Sequence, residues 1–151
     1  MSNIIKQIQQ NLKDKGYRSS ANRELVLEVL DNADRPLVIA DIYERVSRLA
    51  DKTSSDKLDQ STVYRIIELL SKEGFVKVVS LLEGYNRYEL ERGEQHHHHH
   101  FVCTECAGIT PVHFDEQLDS SEKQIEKEEG VTITSHSLEF FGVCKSCKLN
   151  P

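Results

Sequence analysis

Apolar side chains recur at helical spacing through the first seventy residues of the chain. In the first such segment, Ile5, Ile8 and Leu12 would share one face of a helix. A hydroxyl at Ser19 or Ser20 is suited to cap the second helix. The predicted helices cover residues 3–15, 21–30, 39–49 and, from Gln60 or Ser61, the stretch up to Gly74, with a polar loop at 51–60.

The pattern changes after Gly74 from a helical period to short runs of β-prone residues. Two such runs, 75–82 and 86–90, flank the turn EGYN and predict a β-hairpin. Helices followed by a two-stranded hairpin describe a winged helix, a variant of the DNA-binding helix-turn-helix. The helical part alone would fit any small bundle, so the DNA interpretation depends on the hairpin and on the polar residues of the fourth helix.

The second half of the chain predicts a small sheet with one helix. Its predicted elements are strands at 97–103 and about 109–114, a helix at 115–129 and a strand at 131–143. In the last strand, Val131, Ile133, Phe141 and Val143 would share one face. So few apolar positions in some 55 residues indicate that this part needs a bound metal or a partner subunit for stability.

Charge divides the chain in the same place. The net charge of −6 is uneven, because residues 1–88 contain 14 basic and 13 acidic side chains and residues 89–151 contain 5 and 12. A near-neutral first half can still present a basic face to DNA, whereas an acidic second half is better suited to cations. The apolar runs are too short to span a membrane, and the N-terminus lacks the pattern of a secretory signal, so we expect a cytoplasmic protein.

The strongest chemical signal is a pair of Cys-x-x-Cys motifs. Each pair can chelate a metal from a tight turn, and four thiolates complete a tetrahedral zinc shell with no open position. The ligands of this structural zinc site would be Cys103, Cys106, Cys144 and Cys147. The alternative, two redox pairs or uninvolved cysteines, fits a chain without a secretory signal less well.

Five consecutive histidines lead into the first of these motifs, in QHHHHHFVCTEC. On a strand, His96, His98 and His100 would face one side and His97 and His99 the other, so one run can supply two metal sites. A purification tag would usually be terminal. A disordered metal-binding tract would not need the apolar residues that continue the strand into Cys103.

Further ligands lie close by in the sequence. Two more histidines, His113 and His136, share a span of 41 residues with the run and the first cysteine pair, which favours ligand roles over isolated structural ones. Asp119 lies early in the predicted helix, and Glu89 closes the hairpin before the run. Mixed histidine and carboxylate shells suit Zn(II), Fe(II), Mn(II) or Ni(II) without choosing among them.

Three ordered signatures resemble the ferric uptake regulator (Fur) family. They are STVYRIIELLSKEGFV, HHHHHFVCTEC and GVTITSHSLEFFGVCKSC, and together with the helices before them they cover most of the chain. The resemblance implies an α+β fold, with a winged-helix DNA-binding domain at 1–86, a hinge at 87–95 and a small α/β dimerisation domain at 96–151. It also implies a homodimer, or a tetramer on DNA, that represses genes when metal is bound, without a membrane or a small-molecule substrate.

The resemblance assigns DNA contacts to the winged helix. Tyr64 would contact bases and thymine methyl groups and Arg65 a phosphate, while Arg23 matches a phosphate-contacting arginine. Arg18 would reach toward the minor groove of a palindromic, A·T-rich operator. The residues assigned to DNA binding are Arg18, Arg23, Ser61, Thr62, Tyr64 and Arg65.

The resemblance also implies two metal sites besides the structural zinc site. One matches His97, His99, Asp119 and His136, with histidine and aspartate where the family often has aspartate and glutamate. The other, at the hinge and regulatory, matches Glu89, His98 and His100. Iron-responsive members usually add a histidine before the third helix, but this chain has RPLVIADIY there, so His113 is predicted as the fourth ligand. His96 has no assigned role.

The regulatory metal is predicted as zinc, with iron as the alternative. The missing helix histidine and the five-histidine run resemble the zinc uptake regulator (Zur) branch. Zinc sensors often use a cysteine where this chain has Glu89, and that carboxylate favours iron or manganese. A peroxide sensor is less consistent, because that branch prefers aspartate at this position.

Two other function classes fit the sequence less well. A zinc enzyme keeps an open coordination position and a nearby general base. The second metal site already has four candidate ligands, and no nucleophile or Gly-rich motif accompanies it. A metal-storage protein would leave the winged helix unexplained.

Overall fold

A computed structural model describes residues 2–53, 58–81, 83–93, 98–113, 118–134 and 136–149 of the chain. The chain divides into two compact units, Met1–Gln95 and His96–Pro151. The predicted domain boundaries stay predictions, although the first four residues of the predicted hinge belong to a strand of the first unit. Within the described residues, no helix is long and apolar enough to cross a membrane.

Four helices of the first unit confirm the periodicity of the sequence. They are α1 (Asn3–Asp14), α2 (Ala21–Asp31), α3 (Ile39–Thr53) and α4 (Gln60–Lys72). The side chain of Ser20 caps α2 by accepting a hydrogen bond from the Arg23 N–H. The predicted loop at 51–60 is wrong at its start, because α3 continues through Thr53. No glycine or proline interrupts that stretch, so the helix can continue into it.

The first unit contains the larger hydrophobic core. Its buried side chains come from the four helices and the hairpin that follows, and they include Ile5, Leu12, Leu27, Leu30, Ile42, Val63, Ile67 and Leu70. Each such side chain stabilises the fold by about 1.5–3 kcal/mol. In the described part of the second unit, the buried apolar residues are only Val102 and Cys103. Hydrophobic burial therefore contributes little to the stability of the described part of the second unit.

A hairpin completes the winged helix. Strands β1 (Val76–Ser80) and β2 (Asn86–Leu90) pair antiparallel, in the register that joins Val76 to Leu90. At the turn, Arg87 Nε donates to a carboxylate oxygen of Glu83 over 2.6 Å, and Nη2 donates to the other oxygen over 3.0 Å. This ion pair stabilises the turn between β1 and β2. Both predicted strands of the hairpin are confirmed.

The second unit is a three-stranded sheet with two helices. Its elements are β3 (His99–Cys103), β4 (Ile109–Val112), α5 (Leu118–Glu129), β5 (Glu139–Gly142) and α6 (Lys145–Leu149). The central strand, β3, pairs antiparallel with β4 and parallel with β5. At Gly142 a Cβ would lie 3.2 Å from the Phe101 ring, so the close approach of these two strands favours glycine.

The predicted strand at 131–143 is wrong for most of its length. Among its described residues, only those of β5 are in a strand. The N–H of Ile133 donates to the Glu126 carboxylate of α5 over 2.8 Å, so a helix side chain satisfies that backbone group instead of a neighbouring strand. The shared apolar face predicted for this strand is absent, because Val131 lies outside it and is 50 % exposed.

Candidate metal centres and nucleic-acid interface

Helix α4 begins at a carboxylate cap that the sequence analysis missed. Asp59 accepts hydrogen bonds from the Thr62 N–H over 2.7 Å and from the Ser61 hydroxyl over 2.9 Å. These bonds, first those from Thr62, lower the pKa of the Asp59 carboxyl. The signal was present, because an aspartate before Ser-Thr and an apolar period is typical of a helix start. Ser61 and Thr62, both predicted DNA contacts, thus also form the cap.

The outer face of α4 presents the predicted recognition side chains. Val63, Ile67 and Leu70 are buried against the core, which leaves Tyr64 55 % exposed and Arg65 on the surface. Both the Tyr64 ring and the Arg65 guanidinium are therefore accessible to a partner. This face can therefore offer a planar apolar surface and a positive charge to the bases and phosphates of DNA.

The two other predicted arginine contacts differ in exposure. Arg18 is exposed, as contact with DNA requires. Arg23 is only 7 % exposed, and its Nη2 donates to the Arg18 carbonyl oxygen over 2.7 Å. In this structure Arg23 therefore orders the backbone at Arg18. Its phosphate contact stays a prediction.

We expect the substitution Asp59→Ala to loosen the first turn of α4. The Thr62 N–H would lose its acceptor, so its amide hydrogen exchange should accelerate several-fold and operator affinity should fall. The matched control is Asp59→Asn, which retains a good cap. Because the folded state lowers the pKa of Asp59, the cap is fully formed above the ordinary carboxyl range and weakens as the pH falls through the lowered value. Unchanged Thr62 protection in Asp59→Ala would contradict this role.

The structure brings the four predicted zinc ligands together within the second unit. The sulfurs of Cys103, Cys106, Cys144 and Cys147 all lie within 4.8 Å of one another. Backbone N–H groups, first that of Cys144 and then that of Cys106, lower the pKa of Cys103 to about 6. Hydrogen bonds with the neighbouring thiols, first Cys144, raise the pKa of Cys147 to about 12. A divalent cation that neutralises several thiolates fits this donor set.

The first cysteine pair lies in a tight turn shaped by its backbone. Cys103 donates its N–H to the Gly108 carbonyl over 2.9 Å, and its own carbonyl accepts from the Ala107 N–H over 2.9 Å. Ala107 has a φ of 55°, a conformation that costs a non-glycine residue roughly 1–2 kcal/mol. A Cβ at Gly108 would lie 3.2 Å from the Cys106 sulfur. The backbone of this turn therefore approaches the Cys106 sulfur closely, which favours glycine at position 108.

Three predicted regulatory ligands lie close together in the second unit. The rings of His98 and His100 have centroids 4.9 Å apart, and those of His98 and His113 are 5.7 Å apart. His100 lies on β3 and is 3 % exposed, while His113 follows β4 and is exposed. Glu89 lies on β2 of the first unit, and its part in this site stays a prediction.

His99 occupies the opposite side of β3, as strand alternation predicts. Its ring centroid is 5.8 Å from that of His136. The other two predicted ligands of this second site, His97 and the side chain of Asp119, lie outside the described residues, as does His96. A residue that the sequence analysis missed, Glu122 of α5, lies 2.7 Å from Nδ1 of His136 through a carboxylate oxygen.

Comparison with known proteins identifies similar chains along almost the full length. A sequence model of the ferric uptake regulator family matches residues 14–141. The chain is 33 % identical to the ferric uptake regulation protein of Bacillus subtilis, over 97 % of this chain and 96 % of that protein. The Helicobacter pylori protein of the same name, strain 26695, is 30 % identical over 98 % and 93 %.

A ferric uptake regulator is also found among the solved structures that resemble this fold. The Helicobacter pylori ferric uptake regulator, whose structure is described as revealing three functional metal binding sites, superposes with a TM-score of 0.72. It is 28 % identical, and the match covers 96 % of this chain and 91 % of that one. The helices and strands of the structure and its similarity to this solved structure therefore confirm the α+β architecture predicted from the sequence.

Proposed function

The chain belongs to the ferric uptake regulator family, and we propose that it represses metal-uptake genes when a divalent metal ion occupies the regulatory site. Members of this family are DNA-binding transcription regulators and not enzymes. The chain is accordingly a metal-responsive regulator, and the zinc-enzyme alternative is set aside.

The contacts of His98 with both His100 and His113 carry the proposal. The imidazole of His98 is in ring contact with two others, those of His100 and His113, and the three supply nitrogen donors that suit a divalent transition metal. We propose Glu89, assigned from the sequence, as the fourth ligand. Bound metal would supply the coordination bonds that favour one orientation of the two domains. The ligands would thereby link metal occupancy to operator affinity.

We propose iron(II) as the first candidate for the metal ion that binds the regulatory site. The name ferric uptake regulation protein, given to relatives 33 % and 30 % identical over nearly the whole chain, supports iron. The carboxylate of Glu89 supports iron or manganese in addition. Zinc is the second candidate, favoured by the three clustered imidazoles and by the absence of a histidine from RPLVIADIY. We propose zinc for the four cysteines in either case.

The DNA partner is proposed as a palindromic, A·T-rich operator bound by a homodimer. Two winged helices related by a two-fold axis would contact half-sites one helical turn apart or a multiple of that distance. The exposed face of Tyr64 and Arg65 supports base and phosphate contacts, and exposed Arg18 is suited to a narrow minor groove. A tetramer on DNA is compatible with this arrangement. Regulation of such operators would take place in the cytoplasm.

Operator binding at buffered free metal tests this proposal. We expect Fe(II), under anaerobic conditions, to raise the affinity for a fluorescent A·T-rich inverted repeat at a lower free concentration than Mn(II). Zn(II) is compared in the same series after the cysteine site is filled. If only Zn(II) activates at buffered physiological levels, the iron assignment is wrong and the zinc candidate replaces it.

We expect the substitution His113→Ala to abolish metal activation of operator binding. The regulatory site would lose one of its clustered imidazoles, while the exposed position of His113 makes a folding defect a minor effect. The matched control is His96→Ala, at the histidine without an assigned ligand role. Fluorescence titration of both variants checks the prediction, and full metal activation of His113→Ala would remove this ligand.

A further inference from the structure

The second metal site contains a contact that the assigned ligand set does not explain. In the loop between α5 and β5, His136 lies with Nδ1 2.7 Å from Oε1 of Glu122. Both side chains are partly buried, with 29 % and 27 % of their surface exposed. His99, whose ring lies opposite, makes a contact of the same kind, because its Nδ1 is 2.9 Å from the Leu138 carbonyl oxygen.

These two contacts fix which nitrogen carries the proton. A carbonyl oxygen only accepts hydrogen bonds, so Nδ1 of His99 is the donor to Leu138. A carboxylate oxygen likewise accepts, so Nδ1 of His136 is the donor to Oε1 of Glu122. A histidine that donates from Nδ1 coordinates a metal through Nε2. In both rings Nε2 is therefore the nitrogen through which a metal ion would be coordinated.

Glu122 lies on the same face of α5 as a predicted ligand of the second site. Glu122 follows Asp119 by three residues on α5, so the two positions share one face of the helix. Asp119 is the acidic ligand proposed for this site from the sequence. One face of α5 would therefore supply a ligand at one position and a hydrogen-bond acceptor for a second ligand at the next.

We propose that Glu122 is a positioning residue of the second metal site, which orients His136 and keeps its Nδ1 protonated so that Nε2 binds the metal. This inference rests on the proposed second site of His97, His99, Asp119 and His136. A carboxylate behind a ligating histidine also increases the basicity of the ligand. Loss of such a partner typically lowers metal affinity roughly 10- to 100-fold.

The test measures Co(II) affinity by visible absorption in the full-length protein. The cysteine site is first filled with zinc, and a His98→Gln/His100→Gln background removes the regulatory site, so the remaining Co(II) signal reports the second site. In this background, Glu122→Ala should weaken Co(II) binding roughly 10- to 100-fold. Glu122→Gln, whose amide oxygen still accepts from Nδ1, should weaken it less. The matched control is Glu129→Ala, an exposed carboxylate on the same helix, and it should bind normally.

Nitrogen NMR of the metal-free protein gives a second readout. His136 should be the Nδ1-protonated tautomer, and Glu122→Ala should shift it toward the Nε2-protonated form. The substitution His136→Ala should abolish Co(II) binding in the same background.

Three results would overturn the inference. If His136→Ala abolishes binding but Glu122→Ala binds like the control, Glu122 has no positioning role and the second site itself stands. If Glu122→Gln is as weak as Glu122→Ala, the carboxylate is itself a ligand. If His136→Ala binds normally, the second site is wrongly assigned and the inference fails with it.

Discussion

Removing zinc from the four cysteines is expected to unfold the second unit while the first unit stays folded. The described part of the second unit buries only Val102 and Cys103 as apolar residues, whereas the first unit has a core built from four helices and a hairpin. Structural zinc contributes about 10–16 kcal/mol of apparent binding free energy in small zinc domains. A unit with so small a core would not stay folded without that contribution.

The substitution Cys103→Ser, or a strong chelator, provides the test. We expect loss of amide protection across β3, β4 and β5, loss of the dimer, and an unfolding transition that involves the first unit alone. The matched control is Ser146→Ala, which lies inside the second cysteine pair and leaves all four sulfurs in place. Acidification should have the same effect as chelation, because zinc release accompanies protonation of the thiolates as the pH falls. Retained protection of β3 in zinc-free Cys103→Ser would show that the cysteines are not a structural site.

The second large effect is expected from the histidines of the regulatory site. In the double substitution His98→Gln/His100→Gln, metal should no longer increase operator affinity, because two of the clustered imidazoles are gone. Allosteric coupling of this kind is typically worth a 5- to 150-fold change in affinity, so the difference is readily measured. Glutamine is close to histidine in size, which limits the disturbance at buried His100.

Fluorescence anisotropy on the inverted repeat, with and without metal, measures this loss. Zinc content and metal-free DNA affinity should match those of the unsubstituted protein, since the cysteines and α4 are unchanged. The control is again His96→Ala, which should be activated normally. If metal still fully activates operator binding by the double variant, His98 and His100 are not ligands of the regulatory metal.

Local patterns explain why the first unit could be predicted from the sequence. Its helices follow apolar periods that repeat within one element, and the turn EGYN specifies the hairpin. Within each Cys-x-x-Cys pair and along the histidine strand, the spacing likewise predicted which side chains lie near one another, because tight turns and strand alternation act within a few residues. His98 and His100 together on one side, with His99 on the other, follow from this alternation.

The elements that escaped prediction depend on contacts distant in the sequence. Strand β5 exists where it pairs in parallel with β3, some forty residues earlier, whereas the N–H of Ile133 on its N-terminal side bonds to Glu126 of α5. The short helix α6 has no apolar period. Glu122 could not be distinguished from the other glutamates of α5, since only the folded chain shows which of them meets His136.

One binding measurement tests the central claim most directly. The affinity of the zinc-filled protein is compared on an A·T-rich inverted repeat and on a scrambled duplex of the same composition, each with buffered regulatory metal and with chelator. We predict that metal selectively raises affinity for the inverted repeat, by roughly 5- to 150-fold, and leaves the scrambled duplex nearly unchanged. Equal affinity for both duplexes in every metal state would contradict the assignment of this protein as a metal-dependent repressor.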